Sequence, residues 1–331
     1  MKNNMPPNWQ PPAPAWQALW KDTTALRVAY FAVQASTPAL LDVWQQQTLI
    51  ADQFPLPVGP LLVERGHFVD AAGQDNFLLI SYWRETEYER WWSVASDRWY
   101  QLAETTEQGL WRETMSLPHE HFETLLSSPD THGVASSGDD LEGPILEHGY
   151  PGGMRDRIAC CALGDVRGGA APRALSEAQH ESIVRIPAPS NLCMIRSGQD
   201  WGHCNEEQAN DYLRNVHPVL QKGMDYLRDQ GEECACYSMR LVNVLDEHWQ
   251  ATQQTFGLGY AKDIFAFEEW AKSHPTHLDI FGKFMVMAEK YGETLQLQLW
   301  HEVAVCPDGG GEFEYIQCHD KTGILPFVSG V

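Results

Sequence analysis

His301 stands where an apolar residue is expected. In Leu295–Val305, strict alternation puts Leu295, Leu297, Leu299, His301, Val303 and Val305 on one strand face. Gln296, Gln298, Trp300, Glu302 and Ala304 take the other. An imidazole in the middle of an inward face is either a core histidine held by a hydrogen bond or an acid/base group in a dry cavity. His277 poses the same choice. Ile280, Phe281, Phe284 and Met285 follow it at helical spacing, so it heads one buried helix stripe just after His274-Pro275-Thr276. It could cap the helix, or it could bind a metal or haem iron beside an aromatic wall. The spacing His274-x-x-His277 adds little, because only H-E-x-x-H is specific for a two-histidine metal site. Ser197 shares a strand face with Cys193 and Ile195 and precedes Gly198, the usual place of a turn residue. Arg157, in Met154-Arg155-Asp156-Arg157, suits a surface ion pair equally well.

The elements that must carry these residues form an internal repeat. In the first half, Ala25–Ala35 is rich in β-branched and aromatic residues and reads as a strand. Pro38 opens a helical run over 39–52. Leu61–Val69 and Asn76–Trp83 read as a hairpin, Glu85–Ala95 as a helix and Gly109–Ser116 as a closing strand. In the second half, Asn191–Ser197 is a strand and Glu206–Asp229 a long helix ended by Gly231. Cys234–Leu245 and Gln253–Tyr260 pair as a hairpin, Ile264–Lys272 and His277–Lys290 are helical, and Leu295–Val305 closes the unit. Tyr82 and Trp92, like Tyr260 and Trp270, are ten apart across a strand-to-helix junction, with Arg84 and Lys262 two after each tyrosine.

The order β-α-β-β-α-β predicts an α+β fold of two ferredoxin-like units. Each sheet has helices on one face, and two sheets meeting face to face would form a barrel whose interior can take a large flat ligand. The organisation is then a Pro-rich arm at 1–24, a first unit at 25–126, a connecting segment at 127–190 that covers the site, and a second unit at 191–331.

Composition narrows the function classes. Among 331 residues, 43% are apolar and thirteen are tryptophan, enough for a large core or ligand cavity. A net charge of −22 argues against nucleic acid or an anionic membrane as partner. The first residues lack the apolar core of a secretory signal, and no apolar run approaches the roughly 18–20 residues that span a bilayer. A soluble cytoplasmic protein is expected, its eight cysteines reduced rather than paired. Neither a phosphate-binding loop, a dinucleotide fingerprint nor G-x-S-x-G is present.

Five segments, in order, resemble the haem-containing aldoxime dehydratases, the phenylacetaldoxime dehydratase family. They are Glu147-His148-Gly149-Tyr150 running to Met154–Arg157; Ile195-Arg196-Ser197-Gly198-Gln199-Asp200-Trp201; Gly223-Met224-Asp225 with Leu227-Arg228-Asp229; Ser273-His274-Pro275-Thr276-His277-Leu278; and Trp300-His301-Glu302-Val303 with Phe313-Glu314-Tyr315 and Cys318-His319. The resemblance implies a b-type haem, active with Fe2+, and an aldoxime substrate that loses water to become a nitrile. His277 looks like the axial haem ligand and His301 like the distal acid/base. Ser197 looks like the hydroxyl that holds the substrate N–OH. Arg157 and Glu123 look like the groups that orient and charge His301, and His319 is the rival for the distal role. The stretch from His277 to His301 is slightly longer than the family pattern. A homodimeric α+β barrel with haem in the barrel region is implied by the family alone. Two other readings are a peroxidase or chlorite-dismutase-like enzyme on the same barrel, and a haem-binding protein without turnover.

Overall fold

The computed structural model describes residues 4–21, 25–36, 59–175 and 183–329; the helix expected over 39–52 lies outside these. The strands are β1 (Gln17–Leu19), β2 (Ala25–Ala35), β3 (Leu62–Val69), β4 (Asp75–Arg84), β5 (Gly109–Pro118), β6 (Phe122–Leu126), β7 (Asp140–Glu142), β8 (Ile183–Pro187), β9 (Cys193–Asp200), β10 (Cys236–Leu245), β11 (Ala251–Ala261), β12 (Gln298–Val305) and β13 (Gly311–Ile316). The helices that matter for the site are α1 (Glu85–Thr105), α2 (Gly153–Arg157), α3 (His217–Asp229), α4 (Ile264–Ser273) and α5 (Pro275–Tyr291).

Eleven of these strands form one antiparallel sheet in the order β6-β12-β9-β11-β10-β3-β4-β2-β5-β13-β8. It contains two quartets of equal internal order, β12-β9-β11-β10 and β5-β2-β4-β3, read from their outer ends. They join where Asn243–Leu245 of β10 pairs with Arg65–His67 of β3. Both quartets are extended by strands whose sequence gave no clear pattern. β6 pairs with β12, and β13 pairs with β5, so each half lends a strand to the other.

Alternation in the strands separates two kinds of packing. Tyr30, Leu78, Tyr82 and Trp111 of the first quartet share one cluster with Met194, Phe256, Tyr260 and Trp300 of the second. The sheet therefore folds back on itself, with this cluster between its two halves. Phe31, Leu79 and Trp83 point the other way, onto Tyr88, Trp91 and Trp99 of α1. In the second quartet Cys193, Met239, Val303 and Val305 point outward onto α3 and α4. The layers run helix, sheet, sheet, helix.

The interior between the sheets was expected to hold a flat ligand; it is filled with side chains instead. Arg240 makes a bidentate pair with Glu113 at 2.7 and 2.6 Å, and the Tyr315 hydroxyl donates to the same carboxylate at 2.7 Å. Arg196 donates to Glu64 at 2.8 Å and to the Tyr82 oxygen at 2.5 Å, and Tyr82 donates to Glu302. Buried charges survive only when paired and hydrogen-bonded, and these are. Trp300, Glu302 and Ala304, on the face opposite His301, are buried here as well. Period two separates the faces of a strand but does not say what each face meets.

The helix expected over 206–229 is broken. Helical turns at Glu206–Asp211 give way to a π-turn at Tyr212–Val216 before α3 begins. Pro218 sits at the first turn of α3, where its missing N–H does no harm but where a continuous ladder could not pass.

Candidate active site

Three neighbouring strands set His301 and Ser197 side by side. In register, His301 of β12 faces Ser197 of β9, which faces Gly257 of β11, and the row continues to Leu125 on β6 and Leu241 on β10. This row lies on the helix-covered side of the sheet, since Val303 and Val305 share the face of His301 and pack with α3 and α4. Ile195, Ser197, Leu241 and His301 are only partly buried in mid-strand, while their reverse-face neighbours Met194, Arg196, Val242 and Trp300 are fully covered. The row is thus reached by solvent on its helix-covered side. At Gly257 the absence of a side chain matters, because an added Cβ would stand 2.8 Å from Met224 Sδ.

Ser197 is not at a strand end. β9 continues to Asp200, and Gly198 is a mid-strand residue whose Cβ would stand 2.0 Å from the Trp300 indole. The glycine makes room for that ring instead of making a turn.

Behind His301 lies a buried ionic cluster. Arg157 Nε and Nη2 donate to the two oxygens of Glu123 at 2.9 and 2.8 Å, a bidentate pair. His301 Nε2 lies 2.9 Å from Glu123 Oε1 and 3.0 Å from Arg157 Nη2. The Arg157 and Glu123 side chains are 3% and 2% exposed, so Arg157 is no surface residue. Its Nη1 donates to the Glu147 carbonyl. Burial would raise the Glu123 pKa, but the charges and hydrogen bonds of Arg157 and His301 outweigh it and hold the carboxyl at about 2. Glu123 is thus a fixed negative charge. With one nitrogen between an acceptor and a donor, the imidazole can donate to Glu123 when protonated there and accept from Arg157 when not.

His277 is the third residue of α5, packed edge-on against Trp270 at 4.7 Å and 71°. Its Nδ1 is buried without a hydrogen-bond partner. Burial pushes its pKa down, the Ala271 backbone working weakly the other way. His274 is committed elsewhere: its Nδ1 caps α5 by accepting from Thr276 N at 3.3 Å, and its ring stacks on Tyr226 at 3.9 Å. It is therefore no partner for His277 in a two-histidine site. The buried stripe expected along α5 is only partly present. Ile280 and Phe284 pack inward, whereas Phe281 is 53% exposed with Leu278 and Val286. The helix rests on α3 and α4, which cover only a narrow side of it.

His319 is not brought to His301. It bonds Asp70 at 3.0 Å, beside Gln34 and Thr322 on the first-half sheet. Nearness in sequence is no guide here, because β12 and β13 lie near opposite ends of the sheet.

A profile of the haem-containing dehydratases matches residues 29–324, and the chain belongs to that family. Over 98% of its length it is 33% identical to an aliphatic aldoxime dehydratase of Rhodococcus globerulus, covering 94% of that protein. It is 29% identical to a phenylacetaldoxime dehydratase of Bacillus sp. (strain OxB-1), again over 98% of this chain and 94% of the relative. A crystal structure of an aldoxime dehydratase in complex with butyraldoxime superposes with a TM-score of 0.92 at 30% identity, covering 99% of this chain and 93% of that one.

Proposed function

We propose that the chain is a haem-dependent aldoxime dehydratase, converting R–CH=N–OH to R–C≡N and water. The observation that carries this is the buried Glu123–Arg157–His301 cluster set in register with Ser197, in a member of the haem-containing dehydratase family. His277 fits as the residue that would hold the haem iron. Burial favours the neutral ring that binds a metal, and its buried Nδ1 is not tied up by any hydrogen bond within the chain. Haem, when bound, would supply an iron, ferrous on this reading, able to take the oxime nitrogen and lend electron density to the N–O bond.

The protein supplies placement and protons. The Ser197 hydroxyl holds the oxime O–H against the neighbouring imidazole. His301, as imidazolium, gives its proton to the departing oxygen, which leaves as water with the N–O electron pair. The neutral ring then takes the carbon-bound proton, and the C–H pair becomes the third C–N bond. His301 ends protonated as it began, and no net redox occurs. Glu123, ionised throughout, stabilises the imidazolium, while Arg157 locks the carboxylate in place.

The equal order of the two strand quartets supports reading them as duplicated ferredoxin-like units. The family resemblance supports a homodimer, and the acidic composition suits a cytoplasmic enzyme.

The test is direct. Haem-loaded protein reduced with dithionite should turn an aldoxime into its nitrile, read by gas chromatography, and the ferric form should be nearly inactive. Equal rates in both states would contradict nitrogen coordination by ferrous iron. Dye oxidation by peroxide without any nitrile would favour the peroxidase reading.

A further inference from the structure

We infer that the Pro-rich N-terminal arm is a strap that positions Arg157, with Asn4 and Trp9 as its points of attachment; this rests on the reading of the site given above. Arg157 ends α2, a helix of five residues. A single turn has little stability of its own, so its placement depends on what holds it from outside. Three successive side chains are tied to different parts of the molecule. Arg155 Nε donates to Glu268 of α4 at 2.8 Å, and Arg157 is paired with Glu123. Between them, Asp156 accepts from Asn4 N at 3.1 and 2.9 Å, from Asn4 Nδ2 at 2.7 Å and from the Tyr150 hydroxyl at 2.9 Å.

The second attachment grips the other side of Arg157. Trp9 Nε1 donates to the His148 carbonyl at 2.9 Å, and its ring meets Tyr150 edge-on at 5.5 Å and 78°. The adjoining Glu147 carbonyl is the one that accepts from Arg157. Two glycines of this loop show how closely the arm lies on it. Gly149 (φ 78°) would bring a Cβ to 2.7 Å from Pro12, and Gly152 (φ 93°) to 2.7 Å from the Asn4 side chain.

The stretch that carries the two attachments is poorly suited to a role in bulk stability. Pro6, Pro7, Asn8, Gln10 and Pro12 are all exposed, and the arm joins the core only from Ala15 and Ala18 onward. Pro6-Pro7 between the two attachments stiffens the span, so both bonds form at a small cost in chain entropy. Asn4 and Trp9 are positioning residues acting through Asp156 and the 147–150 backbone.

The test uses the full haem-loaded chain. Asn4→Asp sets a carboxylate against Asp156, and Trp9→Ala removes the second attachment. Each should lower kcat by about tenfold, the scale of a small misplacement of a catalytic group, with KM within about twofold. Soret position, haem content and Tm should stay as in the wild type. Adding Asp156→Asn to Asn4→Asp should recover most of the rate, since the donor and acceptor are exchanged. Hydrogen exchange over 147–157 should quicken in both single variants, whether or not the protein turns over an aldoxime. Unchanged kcat and exchange in an active enzyme would overturn the strap, as would a parallel fall of Tm and haem content with the rate. A wild type that makes no nitrile would instead refute the reading of the site, and exchange would still judge the strap.

Discussion

Replacing His301 by alanine is expected to lower kcat by about 10²- to 10⁴-fold while the protein keeps its haem. The ring lies beside Ser197 in register and in contact with Glu123 and Arg157, and on the proposed mechanism it is the group that moves the proton. It lies on a different element from His277, so the axial bond should survive and the Soret band with it. His319→Ala should turn over at near the wild-type rate, because that ring is engaged by Asp70 on the other half of the sheet. Steady-state nitrile formation and a visible spectrum of each variant check both statements. A loss of less than tenfold in His301→Ala would remove the histidine from the proton-transfer step.

The second large effect is on stability and has a sign in pH. Glu123 is held at about 2 in the folded chain against an ordinary value of 4.5. Its pKa is lowered, so the ionised pair contributes stability above about pH 4.5 and loses it as pH falls toward 2. The shift corresponds to roughly 3 kcal/mol. In Arg157→Met the carboxylate stays buried without its main partner, at a cost of about 3–5 kcal/mol at neutral pH. For a chain of this size that lowers Tm by on the order of 5 °C. Acid should narrow the gap: between pH 7 and pH 4 the variant's Glu123 takes up a proton and the penalty fades, while the wild type gains nothing. Scanning calorimetry of both proteins at the two pH values checks this. A gap that widened on acidification would mean that Glu123 is not the group being stabilised.

Much of the fold was legible in residues. Ala25–Ala35 forms a strand with the expected ends because β-branched and aromatic residues run through it without a breaker. Tyr82 and Tyr260, paired by their sequence surroundings, both lie near the end of the third strand of their quartet and point into the layer between the sheets. Less legible was what lies on each side of a strand. β2 and β4 are buried on both faces, so their composition could not tell the helix-covered side from the sheet-covered one. That is why the interior was expected to have room for a flat ligand.

The site divides in the same way. His301 was conspicuous because a histidine interrupted a run of leucine and valine. Glu123 had no such signal: β6 is five residues long, and its glutamate alternates between Phe122 and Thr124 like any exposed side chain. Its partner Arg157 comes from a one-turn helix far along the chain, and only folding brings the two within 2.9 Å. Gly257, which completes the row, went unmarked within the strand read over Gln253–Tyr260, although alternate glycines on one strand face, Gly257 and Gly259, mark a close approach of other groups.

The visible spectrum of His277→Ala, taken beside the wild type after loading both with haem, tests the central claim most directly. The wild type should show the Soret band of haem held by an axial imidazole. The variant should lose it on desalting and regain it when free imidazole is added. A variant that retained haem with the wild-type spectrum would contradict the account, because the iron would then be held by another residue.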